Sequence, residues 1–120
     1  MRTLHVKVAG VTYEGRQEYL AKLIGNEPVR LIPEPENPHD SNAIAVHIAI
    51  GDKVLHCGFI PRELAAEIAP VMEGESIDAK IEAVTGGFEL SDGSTAAYGL
   101  RLIVVIPEVD DHDFINEPFG

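Results

Sequence analysis

Three observations predict a mainly β domain with two short helices, closed as a small six-stranded β-barrel. Six segments alternate apolar and polar residues with the period of a half-buried strand, two others repeat every three to four residues, and the strand neighbours follow one another closely enough to pair antiparallel. At 120 residues the chain is long enough for one core and one domain, and no internal repeat divides it.

Leu4, Val6 and Val8 alternate with His5 and Lys7, so residues 3–9 read as a strand closed by Gly10. Residues 11–15 form a loop. Across residues 16–25, Tyr19/Leu23 and Leu20/Ile24 are i,i+4 pairs on one side of a helix, with Gly25 where a left-handed cap belongs. Residues 27–32 form a strand with Val29 and Leu31 on one face, and Pro28 confines it to an edge or a strand start. Residues 33–42 then hold three prolines, two asparagines, a histidine and an aspartate, a stiff polar corner of extended and turn backbone. It launches the strand 43–50, where Ile44, Val46, Ile48 and Ile50 face one way and His47 with three alanines the other.

Gly51-Asp52 makes the two-residue turn of a hairpin whose second strand is 53–60. Pro61 opens a helix burying Leu64, Ile68 and Met72, which Pro70 breaks or kinks. Residues 76–85 alternate as a fifth strand, 86–95 form a mobile loop exposing Phe88, and 98–106 make the sixth strand, stopped by Pro107. The expected organisation is a barrel domain over 1–107 and an acidic tail over 108–120, loose or docked by Phe114, Ile115 and Phe119.

Composition limits function. The formal charge is −11. Residues 108–120 contribute five acidic groups and no Lys or Arg, which leaves nine basic against 15 acidic groups in residues 1–107, a net of −6. Affinity for a long phosphate backbone comes from Lys and Arg, so any nucleic-acid contact here must be local, at an end or a stacked base. No apolar run approaches the ~20 residues of a membrane helix, and the start lacks a signal-peptide pattern. A cytoplasmic protein with no membrane partner is expected. The single cysteine, Cys57, excludes an internal disulfide and a multi-cysteine metal site, and its apolar strand makes it a buried side chain rather than a nucleophile.

The corner is the candidate site. By chemistry alone, Asn and Asp there are more readily accounted for as Asx turns than as ligands. Yet the acceptor-only carboxylate of Asp40 would welcome a sugar hydroxyl and repel a phosphate, His39 could stack on a base, and the amides of Asn37 and Asn42 could donate to a phosphate or fix the loop. Pairing His39 with Asp40, or His47 with His56, provides no third metal ligand at suitable spacing. Asp110, Asp111, His112 and Asp113 read as a solvated acidic run before they read as a cation site, and Gly86-Gly87 lacks phosphate-loop spacing. No catalytic residue, cofactor or metal is expected.

Glu34-Pro35-Glu36-Asn37-Pro38-His39-Asp40-Ser41-Asn42-Ala43-Ile44-Ala45-Val46 resembles the signature of the HIRAN domain. Cys57-Gly58-Phe59-Ile60-Pro61-Arg62-Glu63-Leu64-Ala65 is similar to that family's second block, and Val8-Ala9-Gly10-Val11 with Tyr13 to its opening strand and loop. The resemblance extends over about residues 4–106 and implies an OB-like β-barrel. In members attached to fork-remodelling helicases it implies binding of the 3′ end of single-stranded DNA. Carried over, it makes Asp40 the acceptor of the 3′ hydroxyl and Asn37 its neighbour before the proline. His39 stands in place of a stacking tyrosine, Tyr13 is a first-loop aromatic, and Phe88 is a counterpart of the late-loop phenylalanine. Thr12 and Pro33 stand where those members carry arginines, which removes phosphate-binding charge. The resemblance thus implies a non-catalytic DNA-end-binding module of DNA repair or fork processing, working with a helicase or nuclease in trans. The rivals are a protein-interaction or regulatory module that kept the barrel and lost DNA binding and, more remotely, a metal-dependent nuclease using Asp40 and His39.

Overall fold

The computed structural model describes residues 2–107. The elements run β1 (Arg2–Lys7), α1 (Arg16–Leu20), β2 (Val29–Pro33), β3 (Ile44–Ile50), β4 (Lys53–Phe59), α2 (Arg62–Met72), β5 (Asp78–Thr85) and β6 (Gly99–Ile106). They form two three-stranded antiparallel sheets, one ordered β1-β6-β5 and the other β2-β3-β4. All six expected strands and both helices are present. The expected acidic tail and its Asp110–Asp113 run lie outside the described residues.

The inward face of each strand follows its alternation except in β5, where a bulge between Ile81 and Ala83 sets Ala83 opposite Arg101 and packs Val84 against the core instead. Val6, Leu31, Ile44, Val46, Ile48, Ile81, Leu100, Leu102, Val104 and Ile106 join Leu20 and, from α2, Ala65 and Ile68 in one core. Each fully buried Leu or Ile stabilises the fold by about 1.5–3 kcal/mol. Strand β3 is central in its sheet, so Ala45 on its second face is as completely buried as Val46. Cys57 is fully buried too, and desolvation pushes its thiol up to about 11.

Among the described residues no ladder closes the two sheets into the barrel expected from the strand count. Strands β2 and β5 pack side by side without a ladder, and among the described residues the sheets are joined by a single bridge, Ala9 to Phe59. Strand β2 has only five residues and is bounded by Pro28 and Pro33, neither of which has an N–H to donate. A groove of about 790 Å³ opens there instead, between β2 and residues 74–79.

Three local expectations also change. Helix α1 ends at Leu20 rather than near Gly25, because the Lys22 and Leu23 amides bond three residues back and the Glu27 carboxylate accepts the Ile24 and Gly25 N–H groups at 2.8 and 2.9 Å. Ile24 is thereby turned out to 82% exposure instead of packing beside Leu20. Helix α2 continues through Pro70 to Met72, since Pro70 and the residue four before it, Ala66, both lie on the exposed side. Residues 86–95 are no open loop but a tight hairpin, closed by the Glu89–Thr95 bridge and a bond from the Ala96 N–H to the Phe88 carbonyl. No helix among the described residues is long and apolar enough to cross a membrane.

Candidate nucleic-acid interface

The corner after β2 is built from its own polar groups. The Glu34 N–H donates to the Ala43 carbonyl at 2.8 Å, so residues 34–43 close on themselves at the mouth of the β2–β3 pair. Inside, Asn37 Oδ1 accepts the N–H groups of His39 (2.8 Å) and Asp40 (3.2 Å), while its Nδ2 donates to Glu34 Oε1 at 3.0 Å. Asp40 Oδ1 accepts the Asn42 N–H at 2.9 Å. These are Asx turns, and they occupy the Asn37 side chain with the loop itself.

Arg62, the first residue of α2, ties the corner to the helix. Its Nη2 donates to the His39 carbonyl at 2.6 Å, and its Nε lies 3.5 Å from Asp40 Oδ2. The Arg62 side chain is 70% exposed and that of Asp40 19%, so the pair stabilises little on its own. It does hold Asp40 Oδ2 at the edge of a cleft.

That cleft is a groove of about 510 Å³. Ala9, Ala43, Phe59 and Ile60 supply apolar surface, Asn37, His39, Asp40 and Arg62 one rim, and Glu14, Arg16 and His56 the other. The Ala9–Phe59 bridge forms its seam, with paired bonds of 2.8 and 2.9 Å. Gly58 makes the seam possible: a Cβ there would stand 2.5 Å from the Ala9 carbonyl oxygen.

Arg16 is 5% exposed. Its Nη1 donates to the Gly10 carbonyl at 2.7 Å and its Nη2 to Glu14 Oε1 at 3.1 Å, and its guanidinium lies 5.5 Å from the Phe59 ring centre, within cation–π reach. His56 meets Phe59 edge-on at 4.7 Å and stacks on His47 at 5.2 Å. Its Nε2 lies 2.9 Å from the Gly58 carbonyl and its Nδ1 3.5 Å from Arg16 Nη2, partners that assign the proton to Nε2. Burial first, and then the charge of Arg16, lower the His56 pKa from its ordinary 6.5.

Of the five residues singled out in the sequence, Asn37, His39 and Asp40 come together at this groove. Tyr13 and Phe88 do not line it. Tyr13 is 66% exposed beside Gly10, and Phe88 is 60% exposed on the late hairpin. Arg16, Phe59 and Arg62 are not singled out by the sequence, and His56 enters there only as a metal pair with His47 that lacks a third ligand. Arg62 and Phe59 had a signal, the Gly58–Pro61 block leading into a helix. Arg16 had none, because its burial depends on Gly10 and Phe59 arriving from other elements. Thr12 and Pro33 bring no cation to the groove, but Arg16 and Arg62 do, each paired with a carboxylate of its own rim, Glu14 and Asp40. Among the described residues no group of three His, Cys, Asp or Glu could hold a metal ion.

The family model of the HIRAN domain matches residues 1–87, which include the corner, the seam and α2. The chain belongs to the HIRAN family. A rabbit (Oryctolagus cuniculus) helicase-like transcription factor is 39% identical over 82 residues, 68% of this chain, and the mouse (Mus musculus) protein 38% identical over 73 residues, 61% of this chain. These matches span only 7% and 6% of the relatives' own length. The crystal structure of the HIRAN domain of human HLTF superposes with a TM-score of 0.53 at 25% identity, covering 86% of this chain and 76% of that one. A Lactobacillus plantarum protein shares the fold, with a TM-score of 0.57 at 20% identity over 87% of this chain and 97% of its own. Strand β6 lies beyond the family-matched residues, yet it is the centre of its sheet, so this HIRAN domain is complete only with residues 99–106.

Proposed function

We propose that this HIRAN domain is a non-catalytic module that binds the 3′ end of single-stranded DNA in the groove between the corner, the seam and α2. The reading rests on Asp40: one carboxylate oxygen is committed to Asn42, while the other stands at the rim of an apolar groove. A terminal hydroxyl can donate to that oxygen, whereas a terminal phosphate would meet a like charge. Phe59 and His39 provide ring surfaces for the last bases, where stacking contributes about 1–3 kcal/mol per base. Arg62 is exposed enough to meet a flanking phosphate.

The test is fluorescence anisotropy of the protein with short single strands ending in a 3′ hydroxyl or a 3′ phosphate. We expect the hydroxyl end to bind about tenfold or more tightly, a difference of about 1.4 kcal/mol, and Asp40→Asn to erase the preference. Equal binding of both ends, or of neither, overturns the reading. For a short end that engages one or two phosphates, the salt slope is shallow, about −0.7 to −1.4.

The charge of −11 favours a second reading, a protein-interaction module with a basic partner. The groove itself is mixed, with Arg16 and Arg62 set against Glu14 and Asp40, and that balance supports the DNA reading. A helicase or nuclease acting in trans would supply the chemistry.

A further inference from the structure

The outer face of the β1-β6-β5 sheet differs in charge from the rest of the molecule. Thr3, His5 and Lys7 point outward from β1, opposite the inward Leu4, Val6 and Val8. Lys7 pairs directly with Arg101 of β6, and Lys80 of β5 pairs with Ile103, two residues further along. His5 Nδ1 lies 2.8 Å from Glu82 Oε2 and Arg101 Nε 3.9 Å from Glu82 Oε1, so side chains from all three strands meet on this one surface. Among the described residues, three of the chain's nine Lys and Arg therefore share a face with two acidic neighbours, Asp78 and Glu82, although acidic groups outnumber basic ones 15 to nine in residues 1–107.

Two cations directly opposite on neighbouring strands are destabilising, because their side chains stand about 5 Å apart. Glu82 relieves Arg101 only through a long contact that leaves the arginine side chain 45% exposed. An anion laid across the pair would turn this repulsion into attraction. The face is also continuous with the groove: Ala9, on the groove wall, follows Lys7 by two residues, the strand repeat that returns to the same side.

We propose that Lys7, Arg101 and Lys80 form a second binding surface, for the phosphodiester backbone of the DNA strand lying 5′ of the bound end. On this path the strand leaves the groove past Ala9, crosses the Lys7–Arg101 pair and continues towards Lys80. The proposal rests on the end-binding reading and extends it from the terminal nucleotides to those behind them.

The experiment compares a 3′-hydroxyl dinucleotide with a 12-nucleotide strand of the same 3′ terminus, each titrated at several salt concentrations. With the unaltered protein we expect the longer strand to bind more tightly and with a steeper salt slope. In Lys7→Gln/Arg101→Gln the longer strand should lose about fivefold or more in affinity and about 1.4 in slope, near 0.7 for each cation removed, with dinucleotide binding unchanged. Lys7→Gln alone, which leaves Glu82 with both partners, should give about half the slope change. The path is overturned if the double variant binds both strands as the unaltered protein does, or weakens both equally. If the unaltered protein binds neither strand, the end-binding function itself fails, a distinct result that removes this path with it.

Discussion

Asn37 and Asp40 stand three residues apart in the corner and use their oxygens differently. Asn37 accepts two backbone N–H groups and donates to Glu34, so its role is to shape the loop. Asn37→Ala should lower stability by about 0.5–1.5 kcal/mol, the net worth of such exposed and half-buried hydrogen bonds, as read by urea unfolding. Asp40 keeps one oxygen at the groove, and Asp40→Asn, which retains the acceptor for the Asn42 N–H, should leave stability nearly unchanged. His56 sets a pH limit. Its pKa is lowered by burial and by Arg16, so the unfolded chain binds the proton more readily than the folded one. The corresponding stability is fully present above 6.5 and is lost as pH falls from there through the lower folded-state pKa. Thermal unfolding between about pH 7.5 and pH 5 should show this loss, and His56→Gln should flatten it.

At the scale of elements, the groove depends on where the chain just after β1 meets the end of β4. Gly58 has φ of +155°, and a Cβ there would press on the Ala9 carbonyl oxygen and, at 2.6 Å, on Val8 Cγ1. Gly58→Ala should therefore part the seam and cost about 2 kcal/mol or more, measured by chemical denaturation, with DNA binding weakened in parallel. Helix α1 illustrates how a short polar contact overrides periodicity. Leu20 and Ile24 have the spacing of a buried pair, yet Glu27 holds the Ile24 and Gly25 amides and ends the helix before that pairing is completed. Helix α2 tolerates Pro70 because the lost bond falls on its exposed side. Alternation was the more reliable signal, since a strand face is buried by its whole sheet, whereas one capping contact can decide where a short helix stops.

For the whole molecule, charge acts on folding and on binding with opposite signs. A chain of net charge −11 repels itself, and salt screens that repulsion as the Debye length falls from about 30 Å at 0.01 M to about 8 Å at 0.15 M. Thermal stability should rise by a few degrees over that range while affinity for DNA falls, a contrast that differential scanning fluorimetry and anisotropy would read side by side. The same acidity makes the placement of Arg16 and Arg62 informative. Net charge argued for a weak and local contact, but where the cations stand depends on which loops meet.

The sequence by itself determined the strand faces apart from the β5 bulge, the hairpin at Gly51, a helix at Pro61, which the structure makes the cap of α2 rather than its first residue, and the polar corner that ends in β3. Each follows from neighbours in the chain: alternation, a two-residue turn, a proline before a helix, and Asx bonds two or three residues long. Only the tertiary structure decided that the strands divide into two sheets rather than closing, that Arg16 is buried against Phe59, and that Tyr13 and Phe88 stand outside the groove while His56 and Arg62 line it. Those outcomes require segments distant in the chain to meet, at the Ala9–Phe59 bridge above all, and no local pattern in either segment records which partner it will find.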